Sequence, residues 1–411
     1  MNIIDLRQKY ELIDIFAALA EIPSPSKHEE KVIQWIKDFC QKHEISCTPD
    51  NYNNLYISIP ATDKTKSPIM FSAHMDVVGD ASEVRLILDG DFIKADERTL
   101  GADDKVGVAS ALLLAKELAN NSDIQHGGLE ITFTRDEETG MSGIEHVDFS
   151  KINSKYVLVF DADKLAQVQV SGASYTNAKL SVKAFVGGHS GIDIGDETRL
   201  NAAKLLAELL AVFPQGVFYK DETGVITSCN LGAIVAGGVQ NAVKSIVDEQ
   251  INSPDYIETI IDKSSTNIIN TNAKASYSIR SASVEKEEEL KSKMVALVDD
   301  FNKKYEGLAK AEIDFEIHLP PFEKANDDTI PNLHTKVCEK LDIKNEISSF
   351  HAGAETHIYA HQQNKNGETF MPFLLGLADI YNMHSANEKV DYKTMLQGYS
   401  IVKELFKEFN A

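Results

Sequence analysis

The sequence predicts an α/β protein: a catalytic α/β domain with a central mixed sheet, plus an inserted ferredoxin-like α+β lid domain. Three observations carry this expectation. Apolar runs of strand length alternate with helical patterns from Leu55 to Phe160, the texture of a sheet with helices on its faces. From Tyr175 the order becomes strand, helix, strand, strand, helix, strand, which is that of a ferredoxin-like sandwich. After Pro320-Pro321 the first texture returns, so the smaller domain interrupts the larger one. The expected boundaries are 1–174 with 322–411 for the catalytic domain and 175–321 for the lid.

The elements follow in order. Ile13 to Ala20 and Lys31 to Phe39 read as amphipathic helices separated by Pro23-Ser24-Pro25-Ser26. Leu55–Ile59 and Ile69–Ala73 are apolar strands, and Val84–Leu88 with Phe92–Ala95 flank Asp89-Gly90, a hairpin signal. Val106–Leu118 is a long apolar helix, followed by strands at Leu129–Thr134 and Tyr156–Phe160. In the lid, Ala178–Val186, Val225–Val235, Ala273–Ile279 and Ala311–Ile317 read as strands, with helices at Asn201–Val212 and Val284–Phe301. The chain then returns through a helix near Ile330–Leu341, a strand near Met371–Leu375 and a helix near Tyr392–Phe409.

With 411 residues, the chain is too long for one ordinary core. A 43% hydrophobic and 25% charged composition is that of a globular protein. The net charge of −22 argues against nucleic acid or an anionic membrane as partner. Four cysteines without a zinc-ribbon or thioredoxin spacing read as reduced thiols. No basic segment followed by an apolar one opens the chain, and no apolar run reaches the ~20 residues a bilayer requires. A cytoplasmic enzyme is expected.

Five short motifs carry metal-type or acid/base side chains next to apolar runs: His74-Met75-Asp76, Asp103-Asp104, Asp136-Glu137-Glu138, Phe160-Asp161 and Met383-His384. Strand alternation puts His74 and Asp76 on one side, where Asp76 can tether the second ring nitrogen of a ligating histidine. Paired aspartates before a helix are often caps, but such a carboxylate can also bridge two cations. Two apolar strands that end in acids, with a histidine after a third, favour a shared site at the sheet's carboxyl edge. Two histidines and three carboxylates suffice for a pair of divalent metals, with one Glu left as a base.

In this order, the motifs resemble the di-zinc exopeptidase family that includes peptidase T, aminoacyl-histidine dipeptidase and the glutamate carboxypeptidases. The resemblance runs from Ile22-Pro23-Ser24-Pro25 to Asn387-Glu388-Lys389-Val390. It implies that His74, Asp103, Glu138, Asp161 and His384 bind two divalent metals, most readily Zn2+ with Mn2+ or Co2+ as alternatives. Asp103 would bridge, across a cis Asp103–Asp104 peptide. Glu138 would share one metal with His74, and Asp161 would share the other with His384, being preferred to Asp163. Glu137 would be the general base and acid for a metal-bridged water.

In the lid, Gly187-Gly188-His189-Ser190-Gly191 resembles the motif whose histidine stabilises the oxyanion, and Arg280 the arginine that holds a substrate carboxylate. Asn241 and Asn201 are further lid candidates. His351-Ala352-Gly353-Ala354-Glu355 resembles the dipeptidases, with Glu355 recognising a substrate amine or capping the next helix. Gly101-Ala102-Asp103-Asp104-Lys105 has instead the peptidase T form. The resemblance implies a metallo-exopeptidase, a dipeptidase or tripeptide aminopeptidase, that cleaves short peptides and forms a homodimer through its lid. The alternatives are an N-acyl amino acid deacylase on the same site and, from another class, an inactive binding or scaffold protein.

Overall fold

The apolar runs Leu55–Ile59, Ile69–His74, Leu129–Thr134, Tyr156–Ala162 and Met371–Gly376 all enter one eight-stranded mixed sheet. The structure, a computed structural model, describes residues 2–121, 123–236 and 265–411. The chain divides into two units, Met1–Gly172 with Phe322–Ala411, and Ala173–Pro321.

The first unit opens with helices α1 (Ile3–Lys9), α2 (Glu11–Ala20), α3 (Glu30–Lys42) and α4 (Ala102–Ala119). Its strands up to the insertion are β1 (Ser46–Pro49), β2 (Leu55–Ile59), β3 (Ile69–His74), β4 (Leu86–Asp89), β5 (Phe92–Ala95), β6 (Leu129–Thr134), β7 (Tyr156–Ala162) and β8 (Gln167–Gly172). The second unit contributes β9 (Tyr175–Ala184), β10 (Gly188–His189), α5 (Ala202–Leu210), β11 (Gly216–Lys220), β12 (Ile226–Ala236), β13 (Ile268–Ile269), β14 (Asn272–Ser281), α6 (Val284–Lys304) and β15 (Ala309–Leu319). The first unit resumes with α7 (Thr329–Lys340), β16 (Glu346–Phe350), α8 (Thr356–Tyr359), β17 (Met371–Gly376), β18 (Ile380–Tyr381), β19 (Lys389–Asp391) and α9 (Tyr392–Phe409).

The large sheet runs β1-β2-β6-β3-β7-β17-β8-β16. Its centre, β6-β3-β7-β17, is parallel, so these strands end at one edge. Every residue of β3 and β6 is buried, the pattern of strands covered on both faces. On one face α4 packs over Phe71 and Phe160, whose rings meet at 4.8 Å. On the other, Met70, Val157, Val159, Tyr359 and Leu374 form a second core. The Asp89-Gly90 hairpin forms as expected but belongs to a separate sheet, β18-β19-β5-β4.

In the second unit the sheet runs β11-β12-β14-β9-β15, antiparallel throughout. Without the edge strand β11, this is the ferredoxin-like order. Strands β9 and β14 alternate buried and exposed residues, with α5 and α6 packed on the buried face. Asn201 caps α5 by accepting the N–H of Ala203 at 2.9 Å, so its side-chain oxygen is committed to the helix start.

Candidate active site

β3, β6 and β7 deliver the ligand candidates because they end side by side. His74 is the last residue of β3, Asp161 lies near the end of β7, and the Asp136–Glu138 turn follows β6. Helix α4 brings Asp103 to the same place. Its first turn is not helical at Asp103 and Asp104, and the peptide between them is cis. The carboxylate of Glu388 accepts the N–H of Gly101 at 2.9 Å and of Ala102 at 2.8 Å, which closes the start of this helix. His384, on the loop after β18, completes the group.

Asp103 lies between the two histidines. Its Oδ1 is 3.0 Å from His74 Nε2 and its Oδ2 is 3.0 Å from His384 Nε2. His384 Nε2 is also 3.1 Å from Glu138 Oε1, and His74 Nε2 is 3.8 Å from Asp161 Oδ1. The nearest contacts therefore pair Glu138 with His384 and Asp161 with His74, the reverse of the expected sharing. His74, Asp103 and Glu138 still offer donor atoms within 4.8 Å of one another, so all these groups form one cluster. Strand neighbours alone do not set this pairing, because β3 is hydrogen-bonded to β7 on one side and, as far as His74, to β6 on the other.

The cluster fits divalent cations. Glu138 Oε1 is buried and, among the described residues, has no hydrogen-bond partner although an imidazole nitrogen lies 3.1 Å away. His384 Nε2 faces two carboxylate oxygens, and a single N–H cannot satisfy both. Lone pairs converging in this way suit a metal, and imidazole with carboxylate suits zinc, manganese or cobalt.

The metal-free electrostatics tell the same story. Burial first, then the charge of Asp103, pushes both Glu138 and Asp161 up to about 7. Burial and the charge of Asp161 also raise Glu137 well above the usual carboxylate range. Against burial, Asp103 is held low by His384 and His74. Asp103 in turn lifts His384 to about 9.

Asp76 does more than tether His74. The ring Nδ1 faces the Asp76 carbonyl at 3.0 Å and its carboxylate at 3.5 Å. The carboxylate oxygens accept the N–H of Glu137 at 3.0 Å and of Glu138 at 3.1 Å, and the Ser26 hydroxyl at 2.7 Å. Despite burial, these partners and His74 hold Asp76 down at about 2. Asp163 is exposed and its carbonyl accepts from Ile380, which leaves Asp161 as the strand-end acid of the cluster.

Glu355 is only 1% exposed and makes no capping hydrogen bond to α8. Its Oε2 accepts the Ser72 hydroxyl at 3.1 Å, its Oε1 has no hydrogen-bond partner among the described residues, and burial lifts the carboxyl to about 6. Both sequence readings need correcting: Glu355 does not cap the helix, and it lies under β3 beside Ser72 and Tyr359, where no open surface presents it to a substrate amine. In the second unit, exposed His189 accepts the Gly191 N–H through Nδ1 at 3.1 Å, which leaves Nε2 to carry the proton. Arg280 lies over the Tyr175 ring at 4.8 Å and, among the described residues, pairs with no carboxylate. Asn241 falls outside the described residues. Sequence reasoning missed Ser26, Glu29 and the capping role of Glu388; the signals were the Ser24-Pro25-Ser26 turn and the Glu four residues after His384.

Among the described residues no helix is long and apolar enough to cross a membrane. A Bacillus subtilis protein described as uncharacterized YqjE is 25% identical over 408 residues, covering 97% of this chain and 98% of its own. The cytosol non-specific dipeptidase of Escherichia coli is 30% identical over 231 residues, 49% of this chain and 46% of the dipeptidase. The crystal structure of aminopeptidase PepT from Bacillus cereus shares the fold with a TM-score of 0.80 at 21% identity, over 97% of this chain and 98% of that one. The family model described as peptidase family M20/M25/M40 matches residues 70–408, a span that holds every candidate ligand of the cluster, so the chain belongs to this family and is a metallo-exopeptidase.

Proposed function

We propose that the chain hydrolyses short peptides, as a dipeptidase or tripeptide aminopeptidase, at a two-metal centre held by His74, Asp103, Glu138, Asp161 and His384. The observation that carries this reading is the convergence of His74, Glu138, Asp161 and His384 around Asp103, with Glu137 fixed next to them by Asp76. Bound cations would supply Lewis-acid polarisation of the scissile carbonyl and a water acidic enough to attack at neutral pH. Zinc is the proposed metal.

Glu137 takes the proton of the attacking water and hands it to the leaving amine. The burial that raises its pKa suits a group that must first accept a proton and then release it. Within the second unit, the Nε2–H of His189 is the proposed donor to the oxyanion, and the guanidinium of Arg280, which pairs with no carboxylate among the described residues, the proposed holder of a substrate carboxylate. Exposed apolar residues of the second unit, among them Phe185, Ile192 and Ile194, support a homodimer formed through it. The free thiols Cys40, Cys47, Cys229 and Cys338 support a reducing, cytoplasmic setting.

The test is turnover of dipeptides (β-alanyl-histidine among them), tripeptides and N-acetyl amino acids, with and without added zinc or manganese. Metal-dependent peptide cleavage that Glu137→Ala lowers at least about a thousandfold is expected, since base and nucleophile activation are lost together. Turnover of N-acetyl amino acids alone would make the chain a deacylase.

A further inference from the structure

The segment from Ile22 to Glu29 supplies no metal ligand, yet it ties together three of the stretches that do. The Ser24 hydroxyl donates to the Met75 carbonyl at 2.9 Å, the Val77 N–H returns to the Ser24 carbonyl at 2.9 Å, and Pro25 bridges Val77 in parallel. That fixes the chain on either side of Asp76. The buried Lys105 ammonium, two residues past Asp103, donates to the Ile22 carbonyl at 2.8 Å. Glu29 reaches the third stretch. It is 0% exposed, and its Oε2 takes Arg135 Nε at 2.7 Å.

The consequence falls on three consecutive amides. The N–H of Asp136 goes to Glu29 Oε1 at 3.1 Å, that of Glu137 to Asp76 Oδ1 at 3.0 Å, and that of Glu138 to Asp76 Oδ2 at 3.1 Å. Asp136 has a φ of 52°, a left-handed value that a non-glycine residue keeps only when its surroundings fix it. Two buried carboxylates thus grip a turn of successive N–H groups, an arrangement that binds anions. Ser26 holds the second of those carboxylates from behind through its hydroxyl, at 2.7 Å from Asp76 Oδ2.

We infer that Ser26 and Glu29 are positioning residues of the peptidase, which set the Asp136–Glu138 turn and thereby aim Glu137 and Glu138. The inference rests on the roles proposed above for those two glutamates. Neither Ser26 nor Glu29 is among the proposed metal ligands. Each acts through an amide or through Asp76, as the outer partners of metal ligands do.

The experiment compares Ser26→Ala, Ser26→Thr, Glu29→Ala and Glu137→Ala in the zinc-loaded full chain on one cleaved peptide. Zinc affinity is measured in parallel by competition with a chromophoric chelator. Glu29→Ala is expected to lower kcat per folded molecule and zinc affinity about 10- to 100-fold with KM within about twofold. Ser26→Ala is expected to lower kcat about threefold, as removal of one such hydrogen bond does, and Ser26→Thr, which keeps the hydroxyl, to restore it. Should Glu29→Ala not fold, the Ser26 pair alone decides. Unchanged kcat in Ser26→Ala, or no recovery in Ser26→Thr, overturns the inference. Full activity in Glu137→Ala would instead overturn the reading of Glu137, and the positioning role with it.

Discussion

A buried carboxylate whose polar and charged neighbours do not outweigh its burial opposes folding once it ionises, and Glu355 is such a group. Burial lifts its pKa from 4.5 to about 6, and the Thr134 hydroxyl, the charge of His74 and the Ser72 hydroxyl offset only part of that. Because the folded value lies above the unfolded one, the protonated acid's contribution is fully present below about pH 4.3 and is lost as pH rises through about 6. A shift of this size is worth about 2 kcal/mol for a fully buried group. In metal-free protein, Glu355→Gln should therefore raise unfolding free energy by about 2 kcal/mol at pH 8 and change it little at pH 4.5. Urea melts at the two pH values check this. A gain of equal size at both would show that ionisation is not the cause. Glu355 also marks where sequence stopped being informative. Residue type placed it near the chemistry, but whether a carboxylate faces substrate or lies beneath a strand depends on neighbours such as Ser72 and Tyr359, far away in the chain.

Helix α4 shows how an element carries a ligand. Its body passes so close to β7 that Gly107 has no room for a side chain: a Cβ there would sit 2.4 Å from Asp104 Oδ1 and 2.7 Å from the Phe160 Cβ. Gly107→Ala should cost about 1–3 kcal/mol by overpacking and should also weaken metal binding, because the helix shift moves Asp103. Denaturant melts and zinc competition measure both effects; a loss under about 0.5 kcal/mol, typical of an unimportant site, would mean the approach is not needed. The helix body was legible as an apolar stretch from Val106 to Leu118, and so were β3, β6, β7 and β17, since burial on both faces leaves continuous apolar runs; β8, an alternating Gln167-Val168-Gln169-Val170 that is nonetheless largely buried, was missed. The edge strands β1 and β16 were not. Ser46-Cys47-Thr48-Pro49 and Glu346–Phe350 are held by backbone pairing at the ends of the sheet, which leaves no hydrophobic signature. The non-helical opening at Asp103 was legible only through the family resemblance, because local sequence there reads as an ordinary acidic cap.

On the scale of the whole molecule, the five proposed ligands and Glu137 all belong to the first unit, while the second has its own core of Leu180, Leu206, Tyr277 and Met294 among others. Binding energy that favours the folded state accrues to the unit that holds the site. The insertion was legible because the order of strands and helices changes at Tyr175 and changes back after Pro320-Pro321, whereas the contacts among the candidate ligands were not, because they join residues far apart in the chain. A chain with two cores need not unfold in one step. Calorimetry of zinc-loaded and chelator-treated protein should therefore show one transition that moves and one that does not. At free metal about a thousandfold above Kd, linkage contributes about 4 kcal/mol, enough to move the first unit's transition by roughly 10 °C. The second unit's transition should stay within about 2 °C, less than 1 kcal/mol for a domain of its size. If both transitions shift together, the two cores unfold as one cooperative body, and the metal centre stabilises the entire chain.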